Sequence, residues 1–91
     1  MTATRDRVSP SVRASVSPDG LVLLDIQSGA VLASNHIGGR IWQLLTEHRT
    51  RAEIASGIAA EYDVGLDRAE NDVASFINML AARGLVTHES Y

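Results

Sequence analysis

Polar and apolar positions alternate through the first third of the chain and then recur at three- and four-residue spacing. Val12, Ala14 and Val16 alternate with Ser11, Arg13, Ser15 and Ser17, the period-two pattern of a strand with one face on a core. Ser17-Pro18-Asp19-Gly20 predicts a tight turn, since proline presets φ and glycine accepts a positive one. Leu21 to Ile26 is apolar at consecutive positions, which marks a strand covered on both faces and so central in its sheet. Gln27-Ser28-Gly29 breaks it, and Ala30-Val31-Leu32-Ala33 forms a third short strand. Two tight connections favour a three-stranded antiparallel meander, which leaves the third strand at an edge. Residues 1–10 lack such a pattern and are expected to form a flexible tail ahead of one folded domain over residues 11–87.

From Ser34 the spacing becomes helical. Ser34 or Asn35 can cap a helix that reaches about Leu45, with Ile37, Ile41, Leu44 and Leu45 on one face. Gly38 and Gly39 weaken that helix by up to ~1 kcal/mol each, so a first turn packed close against another backbone is expected there. Thr50-Arg51-Ala52-Glu53 fits a capping box, and the helix behind it aligns Ile54, Ala55, Ile58, Ala59 and Tyr62 before stopping near Asp63. Asp67-Arg68-Ala69-Glu70 predicts another start of the same kind, for a helix that buries Ala69, Val73, Phe76, Ile77 and Leu80. Gly84 suits the left-handed position after that helix, with Leu85 folding back on Leu80. Val86 and Thr87 add a short extended tail. The order predicts an α+β fold, winged helix-turn-helix-like, with a three-stranded antiparallel sheet followed by three helices.

Composition narrows the chemistry. The chain has 91 residues, enough for one small domain, and no cysteine, which excludes disulfides, thiol catalysis and Cys-ligated zinc. That usage fits a reducing cytoplasm. All eight basic residues are arginine, so Schiff-base and P-loop lysine chemistry is absent. The net charge of −3 is unevenly spread: Arg5, Arg7 and Arg13 against Asp6 leave residues 1–18 at +2, and residues 19–91 hold −5. No apolar run approaches the length of a membrane span, so no membrane partner is expected. His36, His48 and His88 are far apart and lack metal-ligand spacing; no catalytic constellation, metal site or cofactor is expected, and the chain reads as a non-enzyme.

Two binding classes remain. The helix-turn-helix order suggests a DNA reader, in which Arg68 and Asn71 would contact bases. Asp67, Glu70 and Asp72 share that half-helix, however, and would face phosphates; no nucleic-acid partner is expected. The alternative is an extended peptide added to the edge strand. Ala30, Val31, Leu32, Ala33 and Ser34 carry no proline or charge to block pairing. Asp72, Ser75, Phe76, Met79 and Arg83 form a stripe beside the core face of the last helix, with Met79 adaptable enough for a groove wall. Val73, Phe76, Ile77 and Met79 would form an apolar floor, and Asp72 and Arg83 would orient charged residues of the peptide. Self-pairing through the same edge would give a strand-paired dimer instead of a monomer.

These residues carry a family resemblance. Leu24-Asp25 and Ser28-Gly29, followed by Asn35-x-x-Gly38-x-x-Ile41-Trp42-x-Leu44-Leu45, resemble the start of the PqqD-like peptide-binding domain. Arg49-Thr50-x-x-Glu53-Ile54 with Ala60-x-Tyr62 resembles its second helix, and Asp72-Val73-x-x-Phe76-Ile77-x-x-Leu80-x-x-x-Gly84-Leu85-Val86 its third. The resemblance covers about residues 19–87. It implies a recognition element for ribosomally made peptide natural products, which binds the leader of a precursor peptide against the third strand and third helix. The stand-alone length is similar to leader-binding proteins of lasso-peptide clusters, whose partner is a leader peptidase. A peptide chaperone for a radical SAM enzyme, as in pyrroloquinoline quinone synthesis, is the alternative within the family. The chain departs from the family pattern at Val31 or Leu32, where an aromatic residue is common, and at Ser34, where leucine is.

Overall fold

The computed structural model describes residues 4–90, in the order β1 (Thr4–Val8), β2 (Val12–Ser17), β3 (Gly20–Asp25), β4 (Val31–Asn35), α1 (His36–Thr46), α2 (Arg51–Tyr62), α3 (Leu66–Ala82) and β5 (Val86–Ser90). β2, β3 and β4 form the antiparallel meander with β3 in the middle, and the three helices follow it. The whole is 19 Å thick in its shortest dimension, about two layers of secondary structure.

The core lies between the inner face of the meander and the helices. Leu21 and Leu23 of β3 and Leu32 of β4 face Ile41 and Leu45 of α1, Ile54 and Ile58 of α2, and Val73, Ile77 and Leu80 of α3. Asn35 caps α1 by accepting from the Gly38 amide at 3.0 Å. The capping box at Thr50 and Glu53 forms in both directions. α3 ends as its sequence predicts: Gly84 sits at φ 74° and the Leu85 amide donates to the Leu80 carbonyl at 2.9 Å.

Three expectations are corrected. Residues 4–8 are not a flexible tail but β1, paired antiparallel with β5 in a second, two-stranded sheet; residues 1–3 lie outside the described residues. The ribbon has no apolar alternation because its inward anchor is charged. Asp6 is 3% exposed and takes both Nε (2.9 Å) and Nη2 (3.2 Å) of Arg51, whose Nη1 also donates to Asn78 Oδ1. A buried carboxylate paired bidentately is tolerated where an unpaired one is not. Second, β3 is central yet covered on one face only: Val22 and Leu24 are 47% and 39% exposed, and on β2 only Val12 is buried. Third, α3 starts at Leu66 behind Gly65 with no side-chain cap, and Asp67 lies in its first turn.

Candidate binding cleft

The backbone of the meander decides which groups its outer edge offers. The Asp25 amide donates to the Ala30 carbonyl directly opposite, at 2.9 Å. Antiparallel ladders alternate bonded and non-bonded pairs, so Leu32 and Ser34 turn their amides to β3. The amides and carbonyls of Val31 and Ala33 are left pointing out of the sheet edge, where no strand pairs with them among the described residues. Side chains alternate as well. Leu32 is buried and Ser34 half-buried toward the helices, while Val31 and Ala33 point to the open face.

α3 stands beside that edge, and two cavities lie along the seam. One, of about 310 Å³, is lined by Ser34, Asn35, Ile37, Gly38 and Ile41 on one side and Arg68, Asp72 and Phe76 on the other. The second, of about 250 Å³, is lined by Ala30, Val31, Leu32, Arg83 and Leu85. Phe76 and Met79 are half-buried, and Met79 falls between Phe76 and Arg83 on the same helical stripe. Gly38 lets α1 enter the junction closely. A Cβ there would run into the Ser34 side chain and come within 3.0 Å of Phe76 Cε1.

The cleft thus brings together Ala30, Val31, Leu32, Ser34, Asp72, Phe76 and Arg83 of the residues singled out from sequence. Ala33 and Met79 line neither cavity, and nor do Val73 and Ile77. The latter two are 1% and 0% exposed, one step around the helix from Phe76, and hold α3 to the core instead. Asn35, Ile37, Gly38, Ile41, Arg68 and Leu85 were missed as lining residues, because their capping and core patterns carry no sign of which flank stays open. Arg68 lies 3.7 Å from Asp72, both well exposed.

Electrostatics at the start of β4 centre on Asp25. Its carboxylate accepts from Ser11 Oγ (2.7 Å), Ser28 Oγ (2.9 Å) and the Gln27 amide (3.1 Å). These bonds, the Ser11 hydroxyl first, hold its pKa below the usual 3.8. Gly29 at φ 77° then allows the turn into β4. Among the described residues no group of three or more His, Asp or Glu could hold a metal ion, and no helix is long and apolar enough to cross a membrane.

Comparison with known proteins bears on the same region. The family model described as coenzyme PQQ synthesis protein D (PqqD) matches residues 20–86. No curated protein matches. The solved structure of TbiB1 in complex with the TbiA(beta) leader peptide is 35% identical with a TM-score of 0.82, covering 88% of this chain and 93% of that one. A lasso peptide synthetase B1 complexed with the leader peptide is 29% identical with a TM-score of 0.82, covering 91% and 98%.

Proposed function

We infer the function of this chain from one premise: it belongs to the PqqD family. It binds the leader segment of a ribosomally synthesised precursor peptide, taking it as an added strand on the β4 edge, and presents the rest of the precursor to an enzyme of a lasso-peptide pathway. The observation that carries this reading is the β4 edge itself: outward amides at Val31 and Ala33 beside a cleft walled by Phe76 and Leu85. Strand addition uses such groups for affinity and adjoining pockets for selectivity. The two structural relatives, both leader-peptide complexes by description, support the same ligand class.

The chain is a binding partner and does no chemistry of its own. Holding a leader makes the attached core peptide an intramolecular neighbour of whatever enzyme is engaged, which raises its effective concentration into the mM range for a short tether. A leader peptidase is the expected partner enzyme, and the cytoplasm the expected compartment. No observation favours DNA: Asp67, Glu70 and Asp72 are exposed on the N-terminal half of α3, and Arg68 lies beside Asp72.

The test is titration of the ¹⁵N-labelled chain with the TbiA(beta) leader peptide. The Val31 and Ala33 amides should become protected from solvent exchange while those of β2 are unchanged. Binding that protects neither amide would overturn strand addition at β4. Sedimentation in the same samples separates peptide capture from self-pairing, since a second copy on this edge would be displaced by the peptide.

A further inference from the structure

Four arginines of the helical half lie beside carboxylates: Arg40 by Glu61, Arg49 by Glu47 and Glu53, Arg51 by Asp6, and Arg68 by Asp72. Arg83 has no such partner among the described residues. It is exposed at the end of α3, in a body whose residues 19–91 are net acidic, and it lines the 250 Å³ cavity. The other lining of that cavity is apolar, with Leu32 and Leu85 8% and 3% exposed. A cation lining an otherwise apolar pocket is a selective element, because it favours one charge sign in a ligand that must also fill the pocket.

The spacing of the cavities adds a second constraint. Residues of an added strand lie directly opposite β4 residues and share their face, so those opposite Ala30, Leu32 and Ser34 point toward the helices. The strand residues of the two cavities centre on Ser34 and on Ala30 to Leu32. An occupant therefore places side chains in the two cavities two or four residues apart, about 7 or 13 Å at ~3.3 Å per residue.

We propose that the cleft selects extended peptide segments with apolar residues two or four positions apart on one strand face and a side-chain carboxylate within two residues of the one seated beside Arg83. The inference rests on the peptide-binding reading and adds the charge and register of the ligand. At the opposite cavity Arg68 and Asp72 lie 3.7 Å apart and offset each other, so that end adds no net charge preference.

The experiment is a selection of random twelve-residue peptides displayed with their C-termini fused, so that any carboxylate enriched belongs to a side chain. The immobilised targets are the full chain and its Arg83→Glu variant, with far-UV circular dichroism checking that both are folded. Wild-type selections should converge on apolar pairs at i, i+2 or i, i+4 flanked on one side by Asp or Glu, and the variant should replace that acid with Lys or Arg. Arg83→Gln should weaken a selected peptide about fivefold at 0.15 M salt, and less as salt rises. Peptides enriched without a flanking acid, or unaffected by either substitution, overturn the role of Arg83 and leave the peptide-binding reading intact. Absence of enrichment on both targets overturns the two together.

Discussion

β2 and β4 are the two outer strands of the same sheet, and each leaves backbone groups unpaired, yet the two edges are built differently. On β2 the Ile26 amide bonds the Ser11 carbonyl opposite, which leaves the amides of Ala14 and Val16 on the outer edge. The cavity nearest that edge, about 360 Å³, is lined by Val16, Ser17 and Pro18 and by polar groups of the helices: His36, Arg40, Gln43 and Tyr62. Arg40 is already bound bidentately to Glu61, at 2.8 and 3.0 Å. Beside β4 the wall is Phe76, Leu85 and an uncommitted Arg83. Unpaired amides are thus common to both edges, and only the neighbouring helix distinguishes them. A free edge becomes a recognition site when a second element supplies depth and chemistry next to it.

The largest break in that comparison comes from blocking each edge in turn. The double variant Val31→Pro/Ala33→Pro removes both outward amides of β4 and no ladder bond to β3. At about 1 kcal/mol per hydrogen bond, the TbiA(beta) leader should bind roughly thirtyfold more weakly by fluorescence anisotropy. Ala14→Pro/Val16→Pro on β2 should leave binding within about twofold, since no ligand group is lost there. Equal losses from the two pairs would erase the distinction.

The paired glycines of α1 sharpen it next, because each faces one side. Gly38 abuts Ser34 and Phe76 at the β4 side, whereas a Cβ on Gly39 would rest 3.5 Å from Val16 and 3.6 Å from the Gly20 carbonyl. Gly38→Ala should destabilise by about 1–2 kcal/mol through overpacking and open the cleft. Gly39→Ala should be neutral or gain up to ~1 kcal/mol of helix propensity. Thermal melts of the two variants check this. A smaller effect follows from Met79→Asp, which puts a charge between Phe76 and Arg83 on α3 and should weaken leader binding about fivefold, with circular dichroism checking that the fold is retained.

The smallest effect concerns Asp25, which ties the approach to β2, through Ser11, to the turn before β4. Its folded pKa lies below the unfolded value, so its contribution is present above that value and is lost as pH falls through the folded pKa. Asp25's share of the stability should therefore be constant above about pH 5 and decline below about 4, measured as the part of the acid slope that Asp25→Asn removes in urea titrations.

Much of this arrangement is legible in the residues. The meander, the Thr50 capping box and the Gly84 terminator are local patterns, and they form where the spacing puts them. That β4 and α3 border one cleft was also legible, because an unguarded edge and a stripe next to a core face are both visible in one dimension. Val73 and Ile77 fall on the expected floor because periodicity fixes a face to within a residue or so, and the boundary between core and cleft is finer than that. Val22 and Leu24 read as buried because apolar identity does not say whether a second layer exists to cover them. β1 was illegible for the opposite reason: its inward residue is Asp6, and its partners Arg51 and Asn78 are distant in sequence.

That ribbon has a consequence for the order in which the molecule assembles. It joins Thr4 to Ser90, closing a loop of almost the whole described chain, while the meander closes through turns of a few residues. Loop-closure entropy grows with length, so such a pairing is favourable only once the helices have brought its ends together. The ribbon is a late clasp. In native-state hydrogen exchange its amides should open with less free energy than those of β3, so the chain can loosen at its clasp while the β4 edge keeps its shape.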